Sequence, residues 1–283
     1  MNLTYFPGCT HRTTARHLES SGKAVMELLG HRLEEMESWT CCGTVFGLSD
    51  DDLFHQVSPA RNLARVEAAG SDRLVTMCAM CYNTLAQANR LIGGDREKLD
   101  TLNAFMDDEP DYQGGVEVTH LLTFLMDQVG LEEISSRVTR PLEGLRLAPY
   151  YGCLLLRPEE VAIDHVERPS MLSDLMGAVG AEPVPNPLAS RCCGSYHTVD
   201  KRDAVARRVA EIVDCARGRG ADALVLSCPL CYFNLDRRQE SEGMPVLYFT
   251  QLLALAMGRE EECGFDQHKV DPRPLLRERG LMG

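Results

Sequence analysis

The sequence predicts an α/β protein built from two similar Rossmann-like halves with parallel sheets, residues 1–140 and 141–283. Three observations lead there. The first is an internal repeat: Cys9, Cys41, Cys42, Cys78 and Cys81 recur as Cys153, Cys192, Cys193, Cys228 and Cys231. Corresponding cysteines lie 150 or 151 positions apart except the first pair, which is 144 apart, so the chain carries a duplication with one small length change. The second is the alternation of strand-like and helix-like stretches in the same order in both halves, the signature of a parallel sheet. The third is size, since 283 residues of which 44% are hydrophobic can bury a sizeable core and are compatible with one large or two ordinary domains, between which the repeat decides.

In order along the chain, Leu3-Thr4-Tyr5-Phe6 reads as a buried strand ending at the turn Pro7-Gly8-Cys9. Ala15, Leu18, Val25, Met26 and Leu29 make a helix face that stops at Gly30. A short segment, Leu33 to Met36, leads to Cys41-Cys42-Gly43. Residues 60–69 form a helix closed by Gly70, and Arg73 to Met77 is a strand running into Cys78-Ala79-Met80-Cys81, after which Asn83 to Arg90 begins another helix. A polar, acidic connection from Gly93 to Gly115 is followed by an amphipathic helix over 119–126.

The second half repeats this order. Leu145 to Tyr151 is a strand, Gly152-Cys153 a turn, and Ser170 to Val179 a helix. The proline-rich stretch Pro183 to Pro187 precedes Cys192-Cys193-Gly194, residues 203–217 form a helix, and Ala223 to Leu226 is a strand entering Cys228-Pro229-Leu230-Cys231. The pattern of 119–126 returns from Tyr248 to Leu255, so each half closes with a packing helix, and the boundary falls at Arg140-Pro141. The tail from Gly264 to Gly283, with Pro272 and Pro274, reads as an irregular surface arm. In both halves the lone cysteine and the Cys-x-x-Cys fall just past the carboxyl ends of strands, where parallel sheets bind ligands, so five thiols of a half can converge.

A formal charge of -13 argues against a nucleic-acid partner. Without a signal peptide or a membrane-length apolar run, the expectation is a soluble cytoplasmic protein, with peripheral attachment to a membrane complex left open. Twelve cysteines in that setting point to metal or redox chemistry rather than a disulfide framework. There is no Gly-x-Gly-x-x-Gly and no P-loop, hence no nucleotide site, and nothing resembles a hydrolase arrangement.

Cys-x-x-Cys alone is shared by zinc sites, thioredoxin-like centres and iron-sulfur clusters. Five thiols per half narrow the choice, because a structural zinc or an ordinary cubane takes four protein ligands and would leave one surplus at the same place twice. Adjacent cysteines at a Cys-Cys-Gly turn chelate one tetrahedral ion only with strain, yet readily bind two irons of a larger cluster, and the glycine frees φ for the turn. A polynuclear cluster with more than four thiolates uses every cysteine of both sets. Cys215 reads as a small buried side chain on a helix, and Cys263 has no counterpart in the first half; neither is given a role.

The spacing Cys-x31-Cys-Cys-x35-Cys-x-x-Cys, repeated as Cys-x38-Cys-Cys-x34-Cys-x-x-Cys, resembles the duplicated cysteine-rich CCG domain over nearly the whole chain. Within it, Tyr5 to Cys9, Ser227 to Cys231 with Asn234-Leu235-Asp236, and the tail around Gly264-Phe265-Asp266 and Val270-Asp271-Pro272 resemble the B-type subunit of CoB-CoM heterodisulfide reductase. That resemblance implies two noncubane [4Fe-4S] clusters, each held by one five-cysteine set, facing a cavity where a disulfide such as CoM-S-S-CoB is split. It also implies an iron-sulfur C-type subunit relaying electrons from a flavoprotein A-type subunit. Cys78-Ala79-Met80-Cys81 departs from the family-like Cys-Pro-Leu-Cys of the second half but keeps both thiols. The rival readings are an electron-relay subunit of a 2-hydroxy-acid or quinone-linked oxidoreductase and a zinc-binding interaction module.

His11 and His197, close to the cysteine sets, are candidate proton donors, since imidazole titrates near neutrality. Each is weighed against a capping role. Arg157, Arg191, Lys201 and Arg202 are candidates for a cationic rim around an anionic substrate, against scattered surface charge as the alternative. Tyr82 and Tyr232, each directly after a Cys-x-x-Cys, are candidates for shielding the clusters from water, against plain core packing.

Overall fold

The computed structural model describes residues 1–43, 53–239 and 243–283. Its strands are β1 (Asn2–Tyr5), β2 (Arg32–Glu35), β3 (Arg73–Thr76), β4 (Glu117–His120), β5 (Arg146–Tyr150), β6 (Glu182–Pro183), β7 (Ala223–Leu226) and β8 (Val246–Tyr248). They form two four-stranded sheets, ordered β2-β1-β3-β4 and β6-β5-β7-β8, with every pairing parallel. The expected α/β class and the two similar halves are therefore present, and the repeat extends to strand order. Strand β7 is buried at all four positions, as a central strand covered on both faces must be.

The helices are α1 (Gly8–His11), α2 (Arg16–Leu28), α3 (Val57–Ala68), α4 (Ala79–Gly93), α5 (Arg96–Phe105), α6 (Leu121–Phe124), α7 (Leu131–Ser136), α8 (Met171–Ala178), α9 (Arg202–Gly218), α10 (Pro229–Arg237), α11 (Phe249–Ala256) and α12 (Arg273–Glu278). Their apolar stripes explain their placement. In α9, Val205, Val209, Ile212, Val213 and Ala216 are buried at helical spacing while the intervening charged side chains face water.

Three elements differ from the sequence expectation. The stretch expected as helix from Thr119 begins as strand β4, because Val118 and Thr119 pair with Leu74 and Val75 of β3. The helix then starts at Leu121, where the His120 ring accepts from the Leu122 amide at 3.1 Å. The same strand-to-helix switch occurs at β8 and α11, where Gln251 Oε1 accepts from the Tyr248 amide at 2.9 Å. Leu33 to Met36 contributes the edge strand β2.

The tail is not an irregular surface arm. Helix α12 forms within it, and Leu276 and Leu281 are buried in the core. The Asp236 carboxylate, itself fully buried, accepts from the amides of Lys269 and Val270 at 2.8 and 3.1 Å. Gln267 Oε1 accepts from His17 Nδ1 at 3.1 Å, so the last segment of the chain grips the first half. Prolines break the apolar spacing there, which is why periodicity conceals the packing.

One buried cluster spans the two halves, and a second is built of buried residues of the first half. Leu18, Val25 and Met26 of α2 belong to the same buried cluster as Leu252, Leu253 and Leu255 of α11, and Ser21 Oγ bonds Thr250 Oγ1 across that junction at 2.8 Å. Each such side chain stabilises the pair by roughly 1.5–3 kcal/mol when fully buried.

Candidate metal centre

The two Cys-x-x-Cys turns start helices. Cys78 and Cys228 sit in extended conformation immediately before α4 and α10, so each first thiol lies at a helix N-terminus and the second one turn inside it. The residues before them touch: Ser227 Oγ lies 3.3 Å from the Met77 carbonyl oxygen and 3.0 Å from His120 Nε2, which is itself 3.2 Å from the same oxygen. The ends of β3 and β7 therefore meet, which brings both turns to one interface. Buried Tyr248 stands between the sets. Burial pushes its pKa up, and the neighbouring Tyr232 and the sulfurs of Cys228, Cys78 and Cys231 push it further.

Within the second half the five thiols form a connected series. Cys153 lies within hydrogen-bonding reach of Cys192, Cys192 of Cys193, Cys193 of Cys231 and Cys231 of Cys228. In the first half Cys41 lies within such reach of Cys42, Cys42 of Cys81 and Cys81 of Cys78, with Cys9 close enough to Cys41 to act on it electrostatically. All ten cysteines of the two sets are free of disulfides. The structure thus brings together every predicted ligand, in two groups.

Their electrostatics differ from one thiol to the next. Cys192 and Cys228 are held below the ordinary thiol range because each accepts hydrogen bonds, Cys192 from Cys153, Cys193 and the Gly194 and Ser195 amides, and Cys228 from Cys231 and the Cys231 and Leu230 amides. Cys153 and Cys231, whose thiols bond these neighbours and are buried, are pushed up. So are Cys41 and Cys81 in the first half, through bonds to Cys42 and burial. Five thiolates this close repel unless a multiply charged cation lies among them. The thiols also run as a series rather than around one point: among the described residues, no three His, Cys, Asp or Glu side chains converge as a single ion needs. Ten free thiols in two groups are the kind of donor set that iron-sulfur cores take.

Close packing around the sulfurs relies on a glycine before each lone cysteine. Gly8 and Gly152 both have φ of +70°, and a Cβ there would stand 2.7 Å from Cys81 Sγ and 2.8 Å from Cys231 Sγ. The sequence places both glycines in turns, but nothing in it sets them against the sulfurs. Tyr150 is a further residue that sequence reasoning misses: it lies over the second set, and burial together with the charges of Cys231, Cys193, Cys192 and Cys153 raises its pKa.

The remaining candidates separate. His11 is buried, with Nδ1 on the Tyr5 hydroxyl at 2.8 Å and Nε2 unpartnered, and burial lowers its pKa to about 3, so it is neutral. His197 is half exposed on a single 3-10 turn, 3.5 Å from the Asp200 carboxylate. Arg191, Lys201 and Arg202 are exposed, and Arg157 pairs with Glu167 at 2.9 Å. Tyr82 and Tyr232 are buried; the Tyr82 hydroxyl donates to the Val161 carbonyl at 3.0 Å, and the Tyr232 ring stacks on Tyr248 at 4.6 Å. Cys215 is half-buried on α9, and Cys263 is fully buried with its thiol 3.3 Å from the Gln251 carbonyl.

The cysteine-rich domain called CCG matches residues 3–86 and 147–236. The chain belongs to the CCG domain family. It is 34% identical over 284 residues to the 8-methylmenaquinol:fumarate reductase membrane anchor subunit of Wolinella succinogenes, covering 96% of this chain and 98% of that one. It is 31% identical over 287 residues to the B-type subunit of the ferredoxin/F(420)H(2)-dependent CoB-CoM heterodisulfide reductase of Methanosarcina acetivorans, covering 95% and 93%. Among solved structures, a hypothetical protein from Helicobacter pylori superposes with a TM-score of 0.73 at 14% identity. That match covers 95% of this chain, which spans 51% of the solved one, and supports the fold. CCG-domain relatives of this kind support an oxidoreductase role in a multisubunit complex, with iron-sulfur chemistry and electron transfer. Among the described residues no helix is long and apolar enough to cross a membrane.

Proposed function

We propose that the chain is the disulfide-reducing subunit of a heterodisulfide reductase-like complex. Cys9, Cys41, Cys42, Cys78 and Cys81 would hold one noncubane [4Fe-4S] cluster, and Cys153, Cys192, Cys193, Cys228 and Cys231 the other. The observation that carries this reading is the completeness of both thiol sets at a shared interface, where β3 and β7 meet around Ser227, Met77 and His120. When bound, such clusters supply electrons one at a time, and two of them match the two electrons that a disulfide takes up.

The chain's own residues do the rest. Glycines 8 and 152 let the backbone approach the sulfurs, Tyr150 and Tyr248 keep water from them, and the half-exposed His197 is the candidate to hand a proton to a leaving thiolate, since burial holds His11 neutral. An iron-sulfur subunit fed by a flavoprotein would deliver the electrons, and CoM-S-S-CoB or a related disulfide is the substrate class. The protein would act in the cytoplasm, attached to a membrane only through partners.

A second reading is favoured by the quinol-linked relative from Wolinella succinogenes: a subunit in which the clusters only relay electrons to or from a quinone. Anaerobic, dithionite-reduced protein separates the two. Disulfide added in excess is expected to reoxidise it, restoring the absorption that dithionite bleached, with release of two thiols per disulfide consumed; a spectrum unmoved by disulfide but reoxidised by a menaquinone analogue would overturn the first reading in favour of the second.

A further inference from the structure

Two hydrogen bonds that cross between the halves depend on one hydroxyl. Ser227 is 1% exposed and directly precedes Cys228, while Met77, fully buried, directly precedes Cys78. Ser227 Oγ lies 3.3 Å from the Met77 carbonyl oxygen and 3.0 Å from His120 Nε2. The roles in this triangle follow from what each atom can do. His120 Nδ1 accepts from the Leu122 amide at 3.1 Å, and burial lowers the imidazole pKa to about 4, so its one proton sits on Nε2. The Met77 carbonyl can only accept. Ser227 therefore accepts from the imidazole and donates to the carbonyl, a double role that a hydroxyl fills and a methyl cannot.

His120 and Met77 belong to the first half and Ser227 to the second, so both bonds join the halves. They do so at the residues leading into Cys78 and Cys228, the first thiols of the two Cys-x-x-Cys turns, each at the start of its helix. The imidazole is braced in turn, since the Tyr82 ring meets it edge-on at 5.8 Å and Tyr82 directly follows Cys81. Away from the turns the halves are joined by Ser21 to Thr250 at 2.8 Å and by His17 to Gln267 at 3.1 Å, so the fold does not hang on Ser227.

We infer that Ser227, braced by His120, is a positioning residue that fixes the gap between the two thiol sets, so that both serve one disulfide. This rests on the reading that each set holds an iron-sulfur cluster and that a disulfide is split between them. The two sulfurs of a disulfide start only about 2 Å apart, so the sets that serve them must be held at a matching separation. Misplacing reacting groups by about 1 Å costs on the order of a hundredfold in rate. In the reaction the S–S bond takes up two electrons from the reduced protein and two protons from solvent, and breaks into two thiols. Ser227 supplies neither electron nor proton.

The test uses the anaerobically purified full chain, unsubstituted, as Ser227→Ala, which removes the hydroxyl, and as Ser227→Thr, which keeps it. Three quantities are read on each: iron per chain, the saturating rate of dithionite-driven disulfide reduction, and the splitting that two reduced clusters impose on each other's electron paramagnetic resonance lines. CoM-S-S-CoB and 2-hydroxyethyl disulfide are the probes. Ser227→Ala is expected to keep its iron, to lose about tenfold in saturating rate and to show a changed splitting. Ser227→Thr should restore rate and splitting together. The inference is overturned if Ser227→Ala keeps its rate, if its rate falls while the splitting stays, or if Ser227→Thr restores neither. It is overturned equally if iron falls in step with rate, because the contact would then only support assembly of the sites. An unsubstituted protein whose reduced spectrum neither probe moves would instead remove the disulfide reading itself, and the inference with it.

Discussion

Replacing Cys193 by serine is expected to roughly halve the iron that copurifies with the protein, by emptying the second site and leaving the first intact. Cys193 is 1% exposed and central in its series, bonded to Cys192 on one side and Cys231 on the other. Serine keeps the volume but offers a hydroxyl, a far poorer ligand than thiolate for iron. The buried oxygen would also have to find partners among sulfurs and the Asn234 amide. The first set shares no cysteine with the second, so its iron, sulfide and absorption should persist. Serine at Cys42 should give the mirror result. Undiminished iron with identical spectra in both variants would mean that the vicinal pair is not a ligand unit.

The second large effect concerns a residue with no side chain. Gly8→Ala should abolish the first site and Gly152→Ala the second, each also losing stability. Two causes act together at each position. A φ of +70° costs a non-glycine residue about 1–2 kcal/mol, and the new methyl would sit 2.7 Å from Cys81 Sγ or 2.8 Å from Cys231 Sγ. No real Cβ tolerates that distance, so the sulfur must move off its position. Gly30 provides the control, because it has φ of +77° but nothing within 4 Å of a built Cβ. Gly30→Ala should lower the thermal midpoint by the backbone cost alone and keep full iron. If Gly8→Ala behaves like Gly30→Ala, the close approach of backbone to sulfur has no part in building the site.

Much of the site is legible because cysteine is rare and its spacing repeats between the two halves of one chain. Ten thiols, their grouping and their placement at strand ends all follow from position alone, and the structure brings each set together as the repeat implies. The class of fold is legible for a similar reason: continuous apolar runs such as Ala223 to Leu226 are what a strand covered on both faces requires.

What stays hidden depends on contacts between distant residues. Strands β4 and β8 are short and run straight into helices, so their apolar residues blend into a helical pattern; only pairing of Val118 with Leu74 or Val246 with Leu224 reveals them. The packing of the tail is hidden because Asp236, which receives the Lys269 and Val270 amides, looks like any helix-end aspartate in sequence. Asn234 is visible in a motif, yet its partner sulfur lies 41 positions earlier. The junction of the halves through Met77, His120 and Ser227 likewise joins positions more than a hundred apart.

The central claim is that each quintet of thiols encloses several metal atoms. Counting iron, acid-labile sulfide and zinc on one anaerobically purified sample tests it most directly. The account predicts a brown protein with about eight irons and about eight sulfides per chain. A colourless protein holding zinc at roughly one atom per four thiols, with no sulfide, would contradict it.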